Sequence, residues 1–251
     1  LLDGACRIAD IPRTAREMGH TAVALTDHGA MYGAVPFYRA CKKEGVRPII
    51  GCEVYVASRT RFGREAGIDQ QTYHLVLLVT SDVGYRNLVQ LVSRAYTEGF
   101  YGKPRVDTEL LAEHAEGLIA LSGCLGGRIP QFILQGDMEN ARRYALSMRD
   151  IFGEGNFYLE LQDQGLEEEA RILPDMKRLH AETGIPFVAT NDSHYVRQED
   201  AVRYAQLSDV VEQPRQRLCH IAGEAPDYQA HADAVPKARI WRQAAKAREC
   251  R

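Results

Sequence analysis

Seven side chains able to hold a metal ion stand at or near the ends of short apolar runs: Asp3, His28, Glu53, His74, Cys124, Asp192 and His194. An apolar run closed by an acid, an imidazole or a thiol reads as a buried strand that delivers its ligand to one rim. A parallel barrel assembles a site from distant sequence in this way. The densest case is Pro186-Phe187-Val188-Ala189-Thr190 followed by Asn191-Asp192-Ser193-His194. There an Asp-x-His pair can turn two ligands toward one ion. Zn, Mn and Fe accept carboxylate, imidazole and thiolate together, whereas Mg and Ca do not favour the last two. Seven candidates exceed the four that one zinc site uses, and suit two or three ions sharing a carboxylate. Such clusters hydrolyse phosphate esters by generating hydroxide and clamping both oxygens of the displacement. No Walker-type phosphate loop, serine-nucleophile elbow or dinucleotide-binding glycine pattern competes with this chemistry.

Each residue also has a structural reading. Asp3 in Leu-Leu-Asp-Gly fits a turn or a helix cap. His28 follows Asp27 at a strand end, where either can cap the next helix. Glu53 lies inside an apolar strand, so its carboxylate needs a partner, and an arginine serves as well as a metal. His74 at a strand start fits a core histidine bonded to backbone, and Cys124 fits a small buried apolar residue. Asp192 with His194 is the strongest pair. His20, His114 and His180 fall at helix or turn positions without partners and read as surface residues.

The elements that would position these groups follow a strand–helix rhythm. Helices are expected over 8–18, 35–43, 83–97, 108–115, 128–135, 137–152 and 166–182, the fourth capped by Asp107. About six strands are expected: 21–26, 48–56, 73–79, 118–122, 157–161 and 186–190. Alternation of this kind predicts a parallel sheet, close to the eight strands of a complete barrel. Residues 59–71 read as a polar loop. Residues 99–107 form an aromatic and basic loop in which Lys103 and Arg105 are candidates for contact with a nucleic-acid backbone, with an ordinary solvated turn as the equal alternative. Beyond about residue 200 large apolar residues become sparse, and 201–251 reads as a divergent, poorly packed tail.

Composition narrows the class. A chain of 251 residues can bury a large core. Its net charge of −3 shows no global basic excess, so contact with nucleic acid would rest on a local patch. No apolar stretch reaches the roughly 18 residues that cross a bilayer, so no membrane partner is expected. The six cysteines are scattered without a CxxC pair, as in a reduced, cytoplasmic protein.

Several segments occur together in order: Leu1-Leu2-Asp3-Gly4-Ala5, Leu25-Thr26-Asp27-His28-Gly29, Gly51-Cys52-Glu53-Val54-Tyr55, His74-Leu75-Val76-Leu77-Leu78, Lys103-Pro104-Arg105-Val106-Asp107, Ser122-Gly123-Cys124-Leu125 and Thr190-Asn191-Asp192-Ser193-His194-Tyr195. They resemble the polymerase-and-histidinol-phosphatase (PHP) domain at the N-terminus of bacterial DNA polymerase III alpha subunits, over residues 1 to about 200. The resemblance implies a distorted seven-stranded α/β barrel of TIM-like form with a trinuclear metal centre at the strand C-terminal rim. It assigns the metal ligands to Asp3, His28, Glu53, His74, Cys124, Asp192 and His194, with Asp192, His194, Glu53 and His28 holding the catalytic ions, Zn or Mn. It implies 3′–5′ exonuclease chemistry in a parent polymerase that works on DNA with a sliding clamp, a clamp loader and a separate proofreading subunit. A support role without chemistry is the alternative. The family opens with a His-x-His strand just before Leu-Leu-Asp-Gly. That strand is expected to be missing here, leaving a barrel with exposed edges and an unstable or inactive fragment.

Overall fold

The computed structural model describes residues 4–200. The expectations for Asp3 and for the tail over 201–251 lie outside those residues. Among the described residues, seven strands and seven α-helices follow in the order α1 (Asp10–Glu17), β1 (Ala22–Leu25), α2 (Ala34–Glu44), β2 (Arg47–Ala57), β3 (Thr72–Val79), α3 (Asp82–Thr97), β4 (Arg105–Val106), α4 (Thr108–Glu113), β5 (Leu118–Leu121), α5 (Arg128–Leu134), α6 (Met138–Phe152), β6 (Phe157–Leu161), α7 (Glu167–Thr183) and β7 (Phe187–Ala189). None of the helices among the described residues is long and apolar enough to cross a membrane.

The sheet runs β1-β2-β3-β5-β6-β7, with β4 attached to β2. It is not all parallel. β3 lies antiparallel to both β2 and β5, while β1–β2, β5–β6 and β6–β7 are parallel. The reason is visible in the chain. Only the helix-free loop after Ala57 separates β2 from β3, and a parallel return needs a crossover of a dozen or more residues, usually a helix. The rhythm of the sequence therefore misjudged the direction of one strand.

β2 is the longest strand, and two partners share one of its sides. β1 covers Arg47–Ile50, and β4 covers Tyr55 and Val56. Between them His28 bridges to Glu53. At the ends of the sheet, the backbone N–H of Ala5 donates to the carbonyl of His194 at 2.7 Å. The His28 and His194 rings stand 5.9 Å apart. The sheet thus curls until the segment after β1 meets the segment after β7, which gives the distorted barrel form.

Helices cover the outside. Ser81 caps α3 by accepting from Gly84 N–H, and Asp107 caps α4 by accepting from Leu110 N–H. Leu88 and Leu91 of α3 are fully buried against the sheet, with Leu110, Leu111, Met148 and Leu179 from α4, α6 and α7. Burial of each such side chain is worth about 1.5–3 kcal/mol. His180, read from sequence as a surface residue, packs its ring 4.6 Å from that of Phe187 and contacts the Ile185 carbonyl.

Candidate metal centre

Two strands and the segments that follow two others bring their polar residues to one place. His28 follows β1, Glu53 sits within β2, His74 lies in β3 and Cys124 follows β5. Glu53 is the hub. Its Oε1 lies 2.9 Å from Nδ1 of His28 and 2.7 Å from Nδ1 of His74. Glu53 pairs with Val76 and His74 with Tyr55, so the carboxylate and the imidazole are diagonal neighbours on one face of an antiparallel pair. The Cys124 sulfur lies 3.5 Å from the same His74 nitrogen. Asp192 and His194 close the other side. Nδ1 of His194 is 3.6 Å from Oδ1 of Asp192, and its ring faces His28.

Local backbone fixes each group. Glu53 N–H donates to the Asp27 carbonyl and Gly29 N–H to the Glu53 carbonyl, which locks the Asp27-His28-Gly29 turn onto β2. His74 N–H donates to the Gly126 carbonyl, and Gly126 N–H to the Cys124 sulfur at 3.4 Å. A side chain at Gly126 would press on the His74 ring, 3.0 Å from Nδ1. That close approach explains a glycine there.

The electrostatics are those of an anionic recess. Burial alone would raise the Glu53 carboxyl, but the contacts from His28 and His74 outweigh it and hold the group down at about 2. Burial, reinforced by the Glu53 charge, pushes the Cys124 thiol up to about 12. Burial also raises Asp192, against the pull of His194. A bound cation reverses such shifts, because it stabilises thiolate and carboxylate together. In residue type the set therefore fits Zn- or Mn-class ions. In spacing it is tight. Two donors about 2.0–2.1 Å from a shared tetrahedral ion stand about 3.3 Å apart. The Glu53 contacts are shorter than this, and among the described residues no group of three His, Cys, Asp or Glu side chains is set at coordinating geometry. Yet Oε1 of Glu53 accepts no hydrogen bond of proper angle.

Two residues that sequence reasoning passed over complete the site. Tyr55 packs its ring 6.2 Å from His28 and 5.4 Å from His74, and Lys103 Nζ lies 4.2 Å from the centre of the same ring. Its position two residues beyond Glu53 put it on the same face. Glu160, in β6, is buried, and its carboxyl is raised by that burial. It accepts from Gly123 N–H at 3.0 Å and from the Thr190 hydroxyl, tying the Cys124 loop to the end of β7. A polar residue inside Phe-Tyr-Leu-Glu-Leu was the signal. A recess of about 280 Å³ opens beside Cys124 and Glu160, walled by Pro130, Ile172 and Leu173.

Arg105 does not fit the expectation of a phosphate contact. It is fully buried, and its guanidinium donates to the carbonyls of Gly99, Asp69, Arg61 and Gly63. A guanidinium enclosed in this way cannot reach a DNA backbone. Lys103 is half-buried at the rim and stays a candidate.

The family model for the PHP domain matches residues 1–164, most of the chain. The chain belongs to the PHP domain family. The match includes His28, Glu53, His74 and Cys124 and stops before Asp192 and His194. Among curated proteins, this PHP domain is similar to the DNA polymerase III subunit alpha of Treponema pallidum, with 51% identity over 203 residues, covering 80% of this chain and 17% of that protein. The DNA polymerase III subunit alpha of Thermus aquaticus gives 49% over 205 residues, again 80% and 17%. The chain thus spans about a sixth of the length of these relatives. Among solved structures, a candidate metal-dependent phosphoesterase from Bifidobacterium adolescentis aligns with 78% of this chain and 84% of its own, at 13% identity and a TM-score of 0.44.

Proposed function

We propose that this PHP domain belongs to a bacterial replicative DNA polymerase, the DNA polymerase III alpha subunit, and that its cluster is a metal-dependent 3′–5′ exonuclease centre. One observation carries the reading: acid, imidazole and thiol side chains from separate strands and the segments after them converge around Glu53. Family membership supports it. Two or three divalent ions of the Zn or Mn class would be held by His28, Glu53, His74, Cys124, Asp192 and His194, with Asp3 as a further ligand. Such ions supply a water-derived nucleophile at neutral pH and neutralise the phosphoryl oxygens. Glu53 serves as the shared carboxylate, since it faces two imidazoles at once. His194, ordered by Asp192, faces the same space from the far side. Lys103 at the rim meets the incoming phosphate. The parent enzyme would act on DNA in the cytoplasm together with sliding clamp, clamp loader and a proofreading partner.

The test is direct. Elemental analysis of the purified chain, and of the chain extended by a family-type His-x-His strand, measures bound metal. Degradation of single-stranded DNA labelled at its 5′ end, with Mn or Zn and with chelator, measures the activity. Metal bound and stepwise loss of 3′ nucleotides, abolished by chelator and by Asp192→Asn, is the expected result. Neither metal nor degradation in either form overturns the hydrolytic reading.

The tight spacing at Glu53 favours a second reading, in which the domain supports the polymerase without chemistry. Under it the chain binds a separate exonuclease subunit equally well with and without chelator.

A further inference from the structure

The loop 99–105 joins the cluster to an exposed aromatic surface. At its inner end Lys103 lies over Tyr55, which packs on His28 and His74. Pro104 shares this contact: a side chain on Gly29 would fall 2.9 Å from its Cγ. At its outer end Phe100 stacks on Tyr96, with ring centres 6.2 Å apart and planes 18° from parallel. Phe100 is 52% exposed, Tyr96 40% and Tyr32 74%. Tyr32 itself lies four residues beyond His28. Two exposed rings stacked side by side offer a surface on which a further ring can stack.

The loop is held rigidly. The buried Arg105 guanidinium bonds the Gly99 carbonyl, and a Cβ at Gly99 would lie 1.9 Å from the Arg105 carbonyl oxygen. Backbone closes on backbone, which fixes Phe100 and Lys103 relative to each other. Charge points to an anionic occupant. Besides Lys103, the exposed Arg64 adds a positive charge 5.8 Å from the Tyr101 ring, its guanidinium held by the carbonyls of Arg61, Gly63 and Glu98. The nearby acid Glu98 is paired with both Arg94 and Arg61 at 2.7 Å. Exposed rings interleaved with cations are the requirements for binding unpaired bases along a phosphate backbone.

We infer that Tyr96 and Phe100 form a stacking platform for single-stranded DNA, and that Lys103 receives the phosphate leading from this platform into the cluster. Which end of the strand is presented rests on the hydrolytic reading above. The platform itself does not. It binds by strandedness rather than by sequence, because every base offers a stacking face. A duplex, whose bases are stacked on one another, cannot use it.

Fluorescence anisotropy with the full chain in chelator, using labelled oligo-dT and a hairpin duplex of equal length, tests this without any hydrolysis. The expected result is preference for the single strand. Tyr96→Ala and Phe100→Ala each weaken it by about fivefold or more, and Phe100→Trp retains it. Lys103→Ala lowers the salt slope by about 0.7. Unchanged thermal midpoints show that the variants fold. Absence of binding, equal binding of duplex, or alanine variants that bind like the parent chain overturn the inference. So does a dimer that Phe100→Ala dissociates, since the patch then joins two copies. Aromatic-dependent binding by a chain that degrades no DNA would leave the platform standing and remove the nuclease.

Discussion

Glu160 accepts the backbone N–H of Gly123 at 3.0 Å, one residue before Cys124. The same carboxylate takes the Thr190 hydroxyl, two residues before Asp192. One buried side chain therefore joins the two loops that carry Cys124 and the Asp192–His194 pair. Glu160→Ala leaves the Gly123 N–H and the Thr190 hydroxyl without their acceptor. We expect about 1–3 kcal/mol lost in urea unfolding and zinc affinity down by roughly 10–100-fold, as for other residues that orient ligands. Glu160→Gln keeps an acceptor and recovers most of both. Competitive zinc titration of the three proteins decides, and equal affinities would reduce Glu160 to packing.

Arg105 and Lys103 are two residues apart and do opposite work. Arg105→Met removes a cation that satisfies four carbonyls, and should cost about 3 kcal/mol or more in urea unfolding. Its effect on DNA affinity is then secondary to misfolding of the loop. Lys103→Ala touches an ammonium at the rim, so stability stays within about 0.5 kcal/mol while single-strand affinity falls. If the two variants exchange these phenotypes, the assignment of both is wrong.

Much of this was legible in the residues. Apolar runs ending in His28, Cys124 and Asp192 marked strand ends because a buried run with a polar terminus has few other uses. Glu53 was readable for a sharper reason: a carboxylate inside Gly-Cys-Glu-Val-Tyr-Val must find a partner. Glu160, inside Phe-Tyr-Leu-Glu-Leu, carried the same signal and went unused. β4 has only two residues and no period to detect. The burial of Arg105 depends on carbonyls from Arg61, Gly63, Asp69 and Gly99, which no spacing within Lys-Pro-Arg-Val announces. Convergence of the donors on Glu53 is likewise a property of the curled sheet and its antiparallel β3.

Cys124 gives a spectroscopic check on the proposed ligand set. Its sulfur is already within 3.5 Å of His74. On loading with zinc, X-ray absorption should show a sulfur shell at about 2.3 Å beside nitrogen and oxygen at about 2.0–2.1 Å. Cys124→Ser should erase the sulfur shell and leave the rest. A zinc-loaded chain with no sulfur shell would exclude Cys124 as a ligand.

Part of the chain's acid sensitivity should arise outside the cluster, at Asp69. This carboxylate is fully enclosed, and Arg59 grips both its oxygens at 3.0 and 2.7 Å, while Glu65 N–H donates at 2.9 Å. The Arg59 and Glu65 contacts hold its carboxyl at about 2. In the unfolded chain the group titrates near its ordinary value of about 3.9. A lowered folded value means that the stabilisation is complete above the unfolded value and disappears as pH falls through the folded one. Urea midpoints of the parent chain and of Asp69→Asn should therefore differ by a constant amount above about pH 5 and draw together between pH 4 and 2. A gap that persists to pH 2 would assign the loss in Asp69→Asn to packing of the loop rather than to the charge that Arg59 holds.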